Sequence, residues 1–201
     1  MDNSINRRQF LEGSAACAGA VLLSAGQVRA QGDEDWPPKM RPVKIHQVYI
    51  GRTGGIYLSR PKDEIAKFEN YLKKLEKKLG NVEFVGGELT PPEDVSNVIQ
   101  KLPKADGVLM FHLSGHGGGA PAQAMSKILD VGLQTAVFTQ PFSGHGWMYF
   151  PRWQKQGKNV VLLPTSDWDE IERVVKLMRV QPLLKQTRIL VIRGPQGTDA
   201  A

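Results

Sequence analysis

From Val43 to Ile192 the chain alternates short apolar runs with amphipathic helical patterns, and this alternation constrains its fold more than any other feature. Val43–Ile50, Val82–Val85, Gly107–Leu113, Thr135–Thr139, Val160–Leu163 and Arg188–Ile192 read as strands, because each is short and rich in Val, Ile, Leu or Phe. After Pro61, the residues Ile65, Phe68, Leu72, Leu75 and Leu79 recur three and four apart, which gives a helix one apolar stripe, and Gly80 closes it. Thr90-Pro-Pro-Glu93 reads as a capping box that opens a second helix through Val95, Val98 and Leu102. A helix around Met125–Val131 leads to the fourth strand, and a short helix near Trp147–Gln156 leads to the fifth. Ser166-Asp-Trp-Asp169 caps a last helix with the stripe Trp168, Ile171, Val174, Val175 and Met178. Strict alternation demands a parallel sheet covered on both faces. Right-handed crossovers make it a doubly wound α/β fold, a flavodoxin-like three-layer sandwich.

The first thirty residues are not part of that sandwich. Asn6-Arg7-Arg8-Gln9-Phe10-Leu11 is a twin-arginine signature, Gly13 to Ala25 is a short stretch of small apolar residues, and Val28-Arg29-Ala30 resembles a cleavage site. Together they read as a twin-arginine export signal over residues 1–30, with the periplasm as destination. Residues 31–42 are polar and Pro-rich and read as a linker, and residues 43–201 form the α/β domain. Cys17, the one cysteine, lies within the signal, so the mature chain has no disulfide, thiolate ligand or cysteine nucleophile. The signal takes three arginines and two acids from a formal charge of +6, leaving +5. The excess is scattered. Lys73, Lys74, Lys77 and Lys78 share their helix with Glu69 and Glu76, as on a solvated face, so nucleic acid is not an expected partner. No stretch after the signal is apolar enough to span a membrane.

Two strands run directly into glycine loops that carry histidine: Ser114-Gly-His-Gly-Gly-Gly119 after the third, and Gln140-Pro-Phe-Ser-Gly-His-Gly-Trp147 after the fourth. In a parallel sheet both loops leave one edge, where open α/β sheets bind ligands. Gly115-His-Gly-Gly-Gly-Ala120 fits a dinucleotide fingerprint only formally, since it follows the third strand and no acid ends the next. Gly51-Arg-Thr-Gly-Gly55 lacks the Lys-Ser/Thr of a phosphate loop. Ser114-Gly-His-Gly117 resembles the histidine motif of caspase-like peptidases, but a mature chain without cysteine lacks their nucleophile. His112, His116 and His145 sit in no recognised metal-ligand spacing, and no metal site is assigned to them. His112 and His46 lie within strands and read as structural. A polyol is held by short polar side chains, backbone amides and one flat ring. Arg52, Thr53, His116, Gln140, His145 and Trp147 form such a substrate-binding set, with Ser143 beside them, and no catalytic residue is assigned.

Gly51-Arg-Thr-Gly-Gly55 after the first strand, and Thr139-Gln140 followed by Gly144-His-Gly146 after the fourth, resemble the N-terminal domain of the L-fucose and L-arabinose isomerase family. The resemblance covers nearly the whole mature chain. It implies aldose–ketose isomerisation with Mn²⁺ as cofactor, a small sugar as ligand and a homo-oligomer when full length. It also implies that the metal-binding carboxylates and proton-transfer acids belong to later domains, not to this chain. The expected role is then carbohydrate binding and subunit assembly, inactive in isolation. Two alternatives stay open: an exported sugar-binding or interaction module without chemistry, and a hydrolase using His116 or His145 as base.

Overall fold

Five parallel strands in the order β2-β1-β3-β4-β5 form one sheet. The structure, a computed structural model, describes residues 40–51, 61–113, 120–140 and 146–188. The strands are β1 (Val43–Ile50), β2 (Val82–Thr90), β3 (Gly107–His112), β4 (Gln134–Phe138) and β5 (Val160–Leu163). The helices are α1 (Pro61–Leu79), α2 (Val95–Ile99, flanked by 3₁₀ turns Pro92–Asp94 and Leu102–Lys104), α3 (Ala120–Leu129), α4 (Gly146–Lys155), α5 (Asp169–Met178) and α6 (Val180–Gln186). This order is that of a flavodoxin-like doubly wound sheet.

Strand alternation divides the core in two. Ile45, Tyr49, Leu109, Phe111, Ala136 and Phe138 pack with Phe68, Leu72 and Leu75 of α1 and Ile171, Val175 and Met178 of α5. Val48, Ile50, Val108, Met110 and Val137 face the other way, onto Val98 of α2, Met125 and Ile128 of α3 and Trp153 of α4. Both expected helical stripes are therefore buried, because their three-and-four spacing fits one face of a 3.6-residue helix. Lys73, Lys74, Lys77 and Lys78 are exposed, and Lys78 pairs with Glu172 at 2.8 Å.

Three local expectations need correction. β2 does not stop at Val85 but runs to Thr90 through a bulge, since Gln47 aligns with Gly86 but Tyr49 with Leu89. Gly86 and Gly87 take φ of +83° and +104°, so they carry the strand through a bend instead of ending it. A Cβ on Gly86 would stand 2.6 Å from His46 Nε2, so no other residue fits there without displacement. Thr90 does not cap α2. It ends β2, its hydroxyl donates to the Glu88 carbonyl, and a 3₁₀ turn starts two residues on. The helical run also does not end at Met178: α6 follows, with Pro182 in its first turn, where a missing N–H costs little. The strand expected over Arg188–Ile192 lies, apart from Arg188, outside the described residues, as does the linker before Met40.

Asp106 pins the amino ends of β1 and β3 together. Arg41 donates to its two carboxylate oxygens at 2.7 Å each, and the Lys44 backbone N–H donates at 2.9 Å. The Arg41 hydrogen bonds hold the Asp106 carboxyl below the usual carboxylate range. Its folded-state pKa is thus depressed, so the stability it contributes is fully present above about pH 3.9, its unfolded value, and is lost as pH falls through the folded value. Asp106→Ala should cost about 2 kcal/mol, because these are charge-assisted bonds but Arg41 is half exposed and can re-solvate. Urea unfolding of both proteins at pH 7 and pH 2.5 checks this; an equal difference at the two pH values would contradict it.

Candidate functional site

The carboxyl ends of β1, β3 and β4 stand side by side. Ile50 aligns with His112, and Phe111 with Phe138. The pairing continues past the strands: Leu113 N–H donates to Ile50 O at 2.9 Å, Gly51 N–H to Thr90 O at 3.2 Å, and Thr139 N–H to Leu163 O at 3.1 Å. The chain therefore enters its three glycine-containing loops from neighbouring points on one edge. The strand order also reverses direction between β1 and β3, the place where such sheets open a crevice.

Three buried polar residues stand at that edge, while His46 and Gln47 within β1 and Thr135 at the start of β4 are buried elsewhere in the sheet. The three are Thr90, His112 and Thr139, at or just past the ends of β2, β3 and β4. Burying polar groups costs free energy unless they are engaged. Thr139 Oγ1 has no hydrogen-bond partner among the described residues. His112, 2% exposed, shares the parity of Val108 and Met110 and lies on the α2–α4 side of the sheet. His46 is 5% exposed, and burial, reinforced by Lys101, pushes its imidazole below its ordinary pKa. Both histidines are interior residues, as their place in strands suggested.

Gln140 follows the parity of Ala136 and Phe138, which places it on the α1–α5 side. It is half-buried and borders a cavity of about 110 Å³ with Glu64, Lys67 and Phe68 of α1 and Trp168, the residue before α5. Glu64, Lys67 and Phe68 share one helix face by their spacing of three and four. Trp168 is anchored: its ring stacks on Phe68 at 4.9 Å, Tyr71 meets it edge-on at 5.3 Å, and the Tyr71 hydroxyl donates to its carbonyl at 2.7 Å.

Of the six expected binding residues, Gln140 and Trp147 are described. Arg52, Thr53, His116 and His145 lie outside the described residues. Trp147 does not line the Gln140 cavity. It lies in the first turn of α4, a helix packed on the opposite face, and is 56% exposed. The ring beside Gln140 is Trp168. Glu64, Lys67 and Trp168 were missed because the first two look like ordinary solvated residues of α1, and Trp168 looks like one more core position. A larger open groove, about 750 Å³, runs between α3 and α4 over Ser126, Tyr149 and Trp153, with Lys127, Asp130 and Arg152 at its sides. It contains none of the strand-end residues.

Among the described residues no three His, Cys, Asp or Glu side chains come together closely enough to hold a metal ion. Asp106 lies at the amino edge of the sheet, and Asp130 is paired with Lys158. Asp167 accepts from the Asp169 N–H at 2.9 Å, closing the turn into α5. Among the described residues no helix is long and apolar enough to cross a membrane.

Comparison with known proteins places one part of the chain. Residues 4–24 match the twin-arginine translocation pathway signal sequence, so the chain carries a signal for export across the cytoplasmic membrane. Among curated proteins nothing matches. Among solved structures, a variant of a flavo di-iron protein from Thermotoga maritima is similar at 15% identity and a TM-score of 0.43, over 71% of this chain and 37% of that one. The chain thus spans well under half of that protein's length. The flavodoxin-like fold follows from the strand order and does not lean on this likeness.

Proposed function

We propose that this chain is an exported, periplasmic sugar-binding domain of the kind that forms the N-terminal part of aldose–ketose isomerases of the L-fucose and L-arabinose type. The observation that carries the reading is the adjacency of the β1, β3 and β4 carboxyl ends, which launches three glycine-containing loops from one edge. Glycines let backbone amides approach a ligand closely, and Gln140 can donate to one hydroxyl and accept from another. Arg52, Thr53, His116 and His145 supply further hydrogen-bonding groups from those loops, and Trp147 a ring at the rim. In this reading the chain contributes recognition and subunit assembly, while Mn²⁺ and the proton-transfer acids belong to other domains of a homo-oligomer.

The purified chain should therefore convert no pentose or 6-deoxyhexose to its ketose, with or without added Mn²⁺. Metal-dependent turnover that survives purification would overturn the division of labour. Binding should nevertheless depend on the edge. Gln140→Ala removes contacts worth about 0.5–1.5 kcal/mol net, so affinity for L-arabinose should fall by up to about tenfold with the unfolding midpoint unchanged. Unchanged affinity would remove Gln140 from the site.

A further inference from the structure

We propose that the cavity beside Gln140 is a subsite for one end of a neutral monosaccharide, with Glu64, Lys67 and Trp168 as its specificity-determining residues. This inference rests on the sugar-binding reading of the edge and names the residues that would grip the ligand there.

Its lining points to that chemistry. A glutamate, a lysine and a glutamine line a shared space with two aromatic residues. The charges of Glu64 and Lys67 cancel, which suits a neutral ligand better than an anion or a cation. Each hydroxyl of a vicinal pair both donates and accepts. Glu64 accepts, Lys67 donates, and Gln140 does both, so the three complement two adjacent hydroxyls. The indole of Trp168 supplies the flat apolar wall that a sugar's C–H side needs.

Size narrows the choice. The space is about 110 Å³, below the roughly 300–1,000 Å³ of a pocket that encloses a whole small ligand. That space takes one end of a monosaccharide, with the rest of the ring outside it. The wall is also held in place before any ligand arrives. Trp168 is fixed by Phe68, by Tyr71 and by the Tyr71 hydrogen bond, and Phe68 is itself buried in the core. Support of this kind keeps a contacting ring in a productive orientation. The competing interpretation is a packing gap between the first turns of α1 and the end of β4. A gap of that kind has no reason to respond to sugar.

The test is a ¹H–¹⁵N correlation titration of the exported chain with L-arabinose and with L-fucose, each to about 100 mM. The Trp168 indole and Gln140 side-chain amide signals should shift saturably, while the Trp153 indole, in the groove between α3 and α4, stays still. The double variant Glu64→Gln, Lys67→Met should weaken the apparent affinity at least tenfold. Both changes replace helix-surface side chains with good helix formers, and an unchanged thermal midpoint will show that the fold is intact. Saturable shifts confined to the strand-end loops, with a silent Trp168 and parent-like affinity in the double variant, would overturn the subsite and leave the sugar site standing. No saturable shift anywhere would overturn the sugar-binding reading, and the subsite with it.

Discussion

Phe68→Ala should lower the unfolding free energy by about 3–5 kcal/mol, a large part of the 5–15 kcal/mol typical of a folded domain. Phe68 is 2% exposed and lies among four other aromatic rings. Its centroid is 4.5 Å from Phe111, 4.9 Å from Trp168, 5.6 Å from Phe138 and 6.3 Å from Tyr49. These rings come from three strands, one helix and the segment before another, so no single shift can fill the space that alanine would leave. Phe68→Leu, which keeps much of the volume, should cost less. Urea unfolding of the three proteins measures the difference. A loss below about 1 kcal/mol for alanine would mean that the α1 face of the sheet is not packed as described. Because Phe68 also supports Trp168 and borders the Gln140 cavity, sugar affinity should fall in the alanine variant even under conditions where it stays folded.

The second large effect is on export. Arg7→Lys combined with Arg8→Lys should leave essentially all of the protein as full-length precursor in the cytoplasm. The expectation rests on the signal match over residues 4–24, which contains the arginine pair. Cell fractionation and immunoblotting read the outcome. Normal delivery of the double variant across the membrane would show that another route carries this chain. The twin-arginine pathway carries folded cargo. With Cys17 inside the signal, the sandwich must close without a disulfide, which leaves packing around Phe68 a large share of its stability.

Most of the sandwich was legible because two periodicities in the sequence are also the periodicities of its packing. Ile65, Phe68, Leu72 and Leu75 repeat as a helix turns, and Val43–Ile50 is rich in Val and Ile because β1 is covered on both faces. What escaped reading has local physical causes. Gly86-Gly87 looks like the end of a strand, but glycine's access to positive φ lets β2 bend and continue. Thr90-Pro-Pro-Glu93 has the composition of a capping box, but pairing with β1 claims Thr90 for the sheet. Pro182 hides α6 by standing where proline is tolerated.

The candidate site was legible only where one residue follows directly from one strand. Gln140 stands just beyond β4, so the strand fixes its place at the edge. Glu64, Lys67 and Trp168 reach the same cavity from positions 76, 73 and 28 residues away in the chain, brought together by α1 and the start of α5 crossing one sheet face. Nothing in their local spacing signals that meeting. Trp147, expected in the same set, lies in α4 on the other side of the sheet and does not line this cavity.

A crystal structure of the exported chain soaked in L-arabinose tests the central claim most directly. The expected result is ordered sugar at the carboxyl edge of the sheet, with the Gln140 amide within hydrogen-bond distance of a hydroxyl. Ordered sugar found solely in the groove between α3 and α4, beside Tyr149 and Arg152, would contradict it, and so would an empty edge at saturating concentration.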